Sequence, residues 1–205
     1  LADAALLQAG GKPVVIVGTG RYLGESDIID ATQQSIYAIK DPLINSGWGT
    51  LRTNVNFVEQ ELTVDTATGT TATVTNNAVD WSTKAGWWMD LPNAKERITT
   101  PMGLQWTTLV VPTTIPKGDA CVSGGSSWLY FLNAATGSNI GDGPVGSEFS
   151  SNNLIAGTNW VRDSNGNIRL IVQTSDGKIV TKKPPVTGSG GSGTAHRTAW
   201  RELID

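Results

Sequence analysis

The stretch from Lys12 to Asp41, KPVVIVGTGRYLGESDIIDATQQSIYAIKD, limits what this chain can fold into more than any other. It opens with Pro13-Val14-Val15-Ile16-Val17, whose four β-branched apolar residues fit a pleated, buried surface. Gly18-Thr19-Gly20 stops that run, and a second, Ser35-Ile36-Tyr37-Ala38-Ile39, stops at Lys40-Asp41-Pro42. Two strands joined at a Gly-rich corner is one reading. A strand, a phosphate loop and a helix is the other, because Gly18-x-Gly20-x-x-x-Gly24 is a dinucleotide fingerprint one residue too long. Ser26 to Ile39 can be drawn as that helix, with Ile28, Ile29, Thr32 and Ile36 on one face. The choice separates a binding scaffold from a nucleotide enzyme.

The rest of the chain favours hairpins over βαβ alternation. Asn165-Gly166 lies between NWVR and IRLIV, and Asp176-Gly177 lies between that second run and KIV; both dipeptides are strong hairpin turns. Asn56 to Thr75 reads as a hairpin around Thr66-Ala67-Thr68-Gly69. Trp87 to Leu91 is a heavy apolar strand closed by Pro92, and Ser127 to Asn133 is another, ending in Ala134-Ala135-Thr136-Gly137. Trp106 to Ile115 is a strand in which Pro112 requires an edge or a bulge. Gly137 to Asn153 reads as loop, and Ala2 to Gln8 as one or two helical turns ended by Gly10-Gly11. Pro184 to Thr194, PPVTGSGGSGT, reads as a flexible loop, and His196 to Asp205 as an ordered element anchored by Trp200 and Leu203. The fold class is all-β.

A net charge of −3, with no basic run or stripe, argues against nucleic acid as a partner. No apolar run reaches the length of a membrane span. The single Cys121 excludes an internal disulfide and a Cys-x-x-Cys zinc site, and is expected as a buried thiol. His196 is the only histidine and no Gly-x-Ser-x-Gly elbow exists, so Ser–His catalysis has no support and no enzyme is expected. Eight Trp against three Phe, with 24 Gly, suit a turn-rich protein outside the cytoplasm. The chain starts at Leu1 rather than Met, which reads as processing or as a piece of something longer.

Three groups of residues are candidates for a site. Asp163-x-Asn165-x-Asn167 begins like a calcium loop, but its sixth position is Ile168 and its twelfth is Thr174, so a hairpin turn explains it as well. Trp87 and Trp88 cannot point the same way on a strand; one is expected in the core, and the other packs on a neighbouring sheet or anchors a partner. Asp27 and Asp30 read as solvated turn residues.

The chain also echoes itself. Val14 to Gly20 followed by SIYAIKD matches Leu109 to Pro116 followed by SWLYFLNAATG at nearly constant spacing. A repeated strand–loop–strand unit with variable insertions is the pattern of a β-propeller. The ending Leu132-Asn133-Ala134-Ala135-Thr136-Gly137 resembles that of quinoprotein-type propeller repeats, where the Gly turns the chain and an aromatic packs between blades.

Five motifs in order resemble the PilY/PilC family of type IV pilus biogenesis factors and tip adhesins. They are PVVIVGTGRYLG with QSIYAIKD, GWWMDLP at Gly86–Pro92, ERITTP at Glu96–Pro101, CVSGGSSWLYFLNAATG at Cys121–Gly137, and TAWRELID at Thr198–Asp205. The resemblance implies the C-terminal part of a modified, quinoprotein-like β-propeller, about two four-stranded blades over residues 1–205, incomplete without further chain. It implies a role in pilus assembly and adhesion at the pilus tip or cell surface, after export through the periplasm. The implied partners are the remainder of the propeller, minor pilins and a host or surface ligand. No cofactor is implied for these residues, and the family's calcium loop falls upstream of them. The alternatives are a quinoprotein-like or dinucleotide-binding enzyme fragment, though the adjacent Cys pair of quinone dehydrogenases is lacking, and a generic secreted propeller binding module.

Overall fold

Three twisted sheets, stacked face to face, make up the computed structural model, which describes residues 5–9, 11–117 and 124–185. In chain order the strands are β1 (Ala5–Ala9), β2 (Lys12–Gly18), β3 (Ser35–Lys40), β4 (Phe57–Glu59), β5 (Leu62–Val64), β6 (Thr71–Val74) and β7 (Gly86–Asp90). They continue as β8 (Gly103–Gln105), β9 (Thr108–Pro116), β10 (Gly125–Asn133), β11 (Gly146–Ser150), β12 (Ile155–Arg162), β13 (Ile168–Thr174) and β14 (Ile179–Lys182). One five-residue helix, α1 (Glu25–Ile29), interrupts the β2–β3 connection.

The first sheet runs β1-β2-β3-β7-β4, the second β5-β6-β11-β10-β9-β8 and the third β12-β13-β14. Each of the two larger sheets holds four antiparallel strands in a row, β1-β2-β3-β7 and β6-β11-β10-β9, with short strands added at the edges. None of the three sheets closes on itself, which accords with a partial propeller.

The echoed segments are equivalent hairpins. β2 pairs antiparallel with β3, and β9 with β10. Ile36 and Ala38 of the first hairpin, and Trp128, Tyr130 and Leu132 of the second, meet in one core together with Ile16, Leu109 and Val111. The alternate residues face outward from that core. Tyr37 and Ile39 lie with Trp88, Phe57, Trp48 and Leu51, while Val110, Leu129 and Phe131 lie under Leu170 and Val172 of the third sheet. Period-two alternation therefore makes each hairpin two-faced, and the faces agree between the two copies.

Several local expectations need correcting. Ala5–Ala9 is a strand, not helical turns: Ala9 opposes Lys12 in an antiparallel pair with β2, and Gly11 has φ 75°. Backbone pairing with β2 outweighs the helical preference of an Ala/Leu-rich segment. The Asn56–Thr75 hairpin is confined to β5 and β6, whereas Phe57–Glu59 leaves it to pair in parallel with β7. Gly146–Ser150, read as loop, is a strand; Gly146 lies against the Tyr130 ring, where a Cβ would come within 2.1 Å of it. Pro112 stands in a strand with neighbours on both sides, yet its missing N–H falls beyond the last β8 pair, at Gly103–Val110, on a locally unpaired edge. Cys121, His196 and all of Thr198–Asp205 lie outside the described residues, as does the Gly/Ser tract after Pro185.

Candidate functional site

The Gly-rich corner is a packing site rather than a phosphate cradle. β3 returns antiparallel to β2, whereas a dinucleotide fold needs a parallel crossover. The corner is also occupied. A Cβ on Gly18 would lie 2.5 Å from Ile98 Cδ1, and one on Gly20 would lie 2.5 Å from the Ile98 carbonyl oxygen. Ile98 N–H donates to the Thr19 carbonyl at 3.1 Å. Glycine stands at both positions because Ile98, with its side chain over Gly18 and its backbone over Gly20, leaves no room for a Cβ.

That segment, Asn93–Thr100, ties all three sheets together, one residue at a time. Glu96 is buried and its carboxylate accepts from Thr113 Oγ1 at 2.5 Å and Tyr130 Oη at 2.8 Å, both in the second sheet. It also accepts from Asn93 N–H at 3.2 Å and Asn93 Nδ2 at 2.8 Å. Burial pushes the Glu96 carboxyl above its ordinary range, against the pull of these donors, and burial beside Glu96 raises the Tyr130 phenol. Arg97 is buried, and among the described residues no carboxylate pairs with it. Its guanidinium donates to the carbonyls of Lys95 at 3.1 Å, Arg21 at 2.7 Å and Asp30 at 2.7 Å. Ile98 fills the Gly corner of the first sheet, and Thr100 Oγ1 donates to the Ile155 carbonyl of the third at 2.8 Å.

Arg21 and Asp30 bracket the connection between β2 and β3. Within it Asp27 is buried, accepting from Leu23 N–H at 2.8 Å, Gly24 N–H at 3.2 Å and Arg21 Nε at 2.8 Å. The Leu23 amide is the foremost cause holding the Asp27 carboxyl below its usual range. Asp30, expected in solvent, accepts from Thr32. The loop thus has a fixed shape, yet Leu23 and Ile29 project from it with 88% and 74% of their surface exposed.

Trp87 and Trp88 take opposite faces of β7, as alternation requires, and both are buried. Trp87 enters the core between the two large sheets. Its indole N–H donates to the Ala134 carbonyl at 3.1 Å, and the ring lies on Gly137, where a Cβ would come within 2.7 Å. Gly137 has φ 70°, so it makes the turn and leaves room for the aromatic. Trp81 donates to Ala135 at 2.9 Å and Gln60 to Thr136 at 2.8 Å, so the Asn-Ala-Ala-Thr-Gly ending is a dock for three donors from the first half of the chain. Trp88 lies beneath Arg52, whose guanidinium carbon sits 4.5 Å from the ring centroid and which also binds Asp90, Ser35 and Tyr37. Neither indole has the exposed face that a surface anchor needs.

Asp163, Asn165 and Asn167 form a hairpin turn. The Asp163 carboxylate accepts from the N–H groups of Asn165 and Asn167, from Asn167 Nδ2 at 3.1 Å and from Arg169 Nε at 3.3 Å. Gly166 has φ 81°. The Asn167 side chain, first among these donors, holds the Asp163 carboxyl below its usual range. With that carboxylate committed and an Asn amide donating to it, the set is not arranged as cation ligands. Among the described residues no group of three His, Cys, Asp or Glu side chains is placed to hold a metal ion. None of the described helices is long and apolar enough to cross a membrane.

Comparison with known proteins accords with this geometry. A PilY1 homologue from Xylella fastidiosa, named a type IV pilus biogenesis factor, is 31% identical over 134 residues, 60% of this chain. The chain is similar to part of PilY1. Type IV pilus biogenesis factor PilY1 of Pseudomonas aeruginosa is 25% identical over 151 residues. The chain spans only 9% and 13% of these two relatives. The crystal structure of the P. aeruginosa PilY1 C-terminal domain, a β-propeller, superposes with a TM-score of 0.64 at 18% identity, covering 91% of this chain and 45% of that one. No protein-family model matches the chain.

Sequence reasoning singled out ERITTP and the Gly corner as separate motifs and missed that they are one contact. Adjacent charges at Glu96-Arg97 inside a segment bounded by Pro92 and Pro101 were the available signal. Charges so placed are either solvated or bound on both sides.

Proposed function

We propose that this chain is a non-enzymatic propeller module serving type IV pilus biogenesis, working through protein surfaces. The observation that carries this reading is the match to two proteins named as such biogenesis factors, joined to a fold shared with the PilY1 C-terminal domain. On this reading the remaining blades of the propeller cover the edges its open sheets leave, and minor pilins at the pilus tip are the partners, with an adhesive role toward a host or substratum. The location is extracellular. A filled Gly corner, antiparallel β2–β3 pairing and a core of packed indoles support a scaffold over a nucleotide or quinone enzyme. Calcium, where the protein uses it, is held by residues other than Asp163, Asn165 and Asn167.

The test is deletion of these residues in the producing cell, with surface pili counted and pilin subunits sought by co-purification with the tagged protein. Loss of pili together with loss of co-purifying pilin is expected. Normal piliation and no pilin association would leave a generic secreted binding module; cofactor absorbance in purified protein would restore the enzyme reading.

A further inference from the structure

We propose that the third sheet takes a fourth strand on the open edge of β14, supplied by a segment of the same protein outside residues 1–205. Each of the two larger sheets holds four antiparallel strands in a row, whereas the third holds three. The stacking of the sheets shows on which side the fourth belongs. β12 lies against β8 and β9, and at the other side of its sheet β14 comes to β11, where Lys182 Nζ sits 5.4 Å from the centre of the Phe149 ring. The second sheet ends at β8, but past β11 it continues through β6 to β5. Ala72 of β6 is buried in the core between the large sheets, so Thr73 and its partner Thr63 face the other way, and both are exposed. The third sheet therefore stops short of the sheet it covers beside β14, and not beside β12.

The backbone of β14 is set for this pairing. Thr174 N–H donates to the Lys178 carbonyl at 2.9 Å, which marks Val172–Val180 and Leu170–Lys182 as the pairs that exchange both backbone bonds. The N–H and C=O groups of Ile179 and Thr181 therefore point away from β13, and no described strand pairs with them. A row of donors and acceptors at that spacing takes an extended segment. On the inner side, a cleft of about 130 Å³ lies between Phe149 and Val180, and a side chain of the added strand beside Val180 closes it. The source follows from length. This chain covers 45% of the PilY1 C-terminal domain it superposes on, so the greater part of such a domain lies outside the matched residues and holds the strand. The inference rests on the partial-propeller part of the proposed function and names the one edge through which this chain and the remainder share a sheet.

Hydrogen exchange at single-amide resolution on the whole protein, purified from its producing cell, reads this edge directly. The Ile179 and Thr181 amides should exchange on the order of 100-fold more slowly than those of an open edge, as slowly as Val180, and equally at every protein concentration. A photo-crosslinking amino acid at position 181 should capture, besides β13, a peptide of the same polypeptide from outside residues 1–205. Free exchange at both amides would leave β14 an edge guarded by Lys178, Lys182 and Lys183, and would overturn the proposal. Protection that grows with concentration would mean a second copy and would overturn it too. So would capture of β13 alone, of any other peptide within residues 1–205, or of a different protein. Neither readout involves piliation: normal pili after deletion of the module would sink the pilus reading and leave a protected edge standing, while a free edge would leave the pilus reading intact.

Discussion

The first and second sheets share a hairpin but differ in how its ending is satisfied. In the first, the carbonyl of Lys40 accepts the indole N–H of Trp48 at 2.8 Å, from the loop that immediately follows β3. In the second, the carbonyls after β10 accept Trp81 and Trp87, from the other half of the chain. The outer faces differ in the same sense. Trp48, Leu51 and Arg52, all from the β3–β4 connection, cover Phe57 and Trp88, whereas an entire third sheet covers Leu129 and Val110. One hairpin is completed locally and its copy at a distance. A repeated sequence unit thus fixes the strand pair and its two faces, while the insertions decide what each face meets.

Substitutions at matched positions test this difference. Trp87→Ala strikes the dock between the halves and should cost about 3–5 kcal/mol, read as one cooperative loss in urea unfolding. If only the second sheet loosened, the halves would not share a core. Leu170→Ala, in the distant cover, should cost about 3 kcal/mol, and Trp48→Ala, in the half-buried local cover, about 2 kcal/mol. Hydrogen exchange should place the first loss in β9, β10, β12 and β13 and the second in β3, β4 and β7. A reversed order would mean that the local loop, not the third sheet, is the stronger cover.

Glu96→Gln probes the segment joining the two sheets. A Gln amide has one acceptor oxygen where Glu96 uses two, so it cannot accept from Asn93 and from the Thr113 and Tyr130 hydroxyls together, and the expected cost is about 1–3 kcal/mol. Because burial lifts the Glu96 carboxyl above 4.5, the folded chain holds its proton more tightly than the unfolded one. The stability so gained is complete below that value and fades as pH rises through the raised one. Gln does not titrate, so the gap between Glu96→Gln and the parent should be widest in acid and narrow on raising the pH. The lowered carboxyls of Asp27, Asp30 and Asp163 act oppositely, losing stability as pH falls below 3.8, but they are common to both proteins. A gap independent of pH would show that Glu96 keeps its ordinary affinity for protons. The smallest effect belongs to Asp163→Ala, which loosens one hairpin turn of the third sheet. Its melting temperature should fall less than in any variant above, and calcium should leave the melting temperature of the parent unchanged.

Local pairing was legible in the residues. Asn165-Gly166 and Asp176-Gly177 announce their turns because Gly166 and Gly177 take the positive φ needed there, and the alternation in SIYAIK and SWLYFLN announces two-faced strands. What the sequence hid depends on distant partners. Phe57–Glu59 pairs with β7 rather than with its neighbours, and GSEFS has no apolar stripe to mark it as a strand. The Gly18–Gly20 corner was visible as an anomaly, but Ile98 is its reason, 78 residues further along from Gly20.

The Asn93–Thr100 segment has a mechanical side. It grips the first sheet at Ile98 and the third at Thr100, with Arg97 and Thr114 exchanging both backbone hydrogen bonds in between. Only Thr99 separates the outer grips, a tether of about 7 Å at full extension. A pull between the outer sheets would draw this strap taut almost at once and load its hydrogen bonds together. The sheets would hold as one body until the strap yields, and then part abruptly.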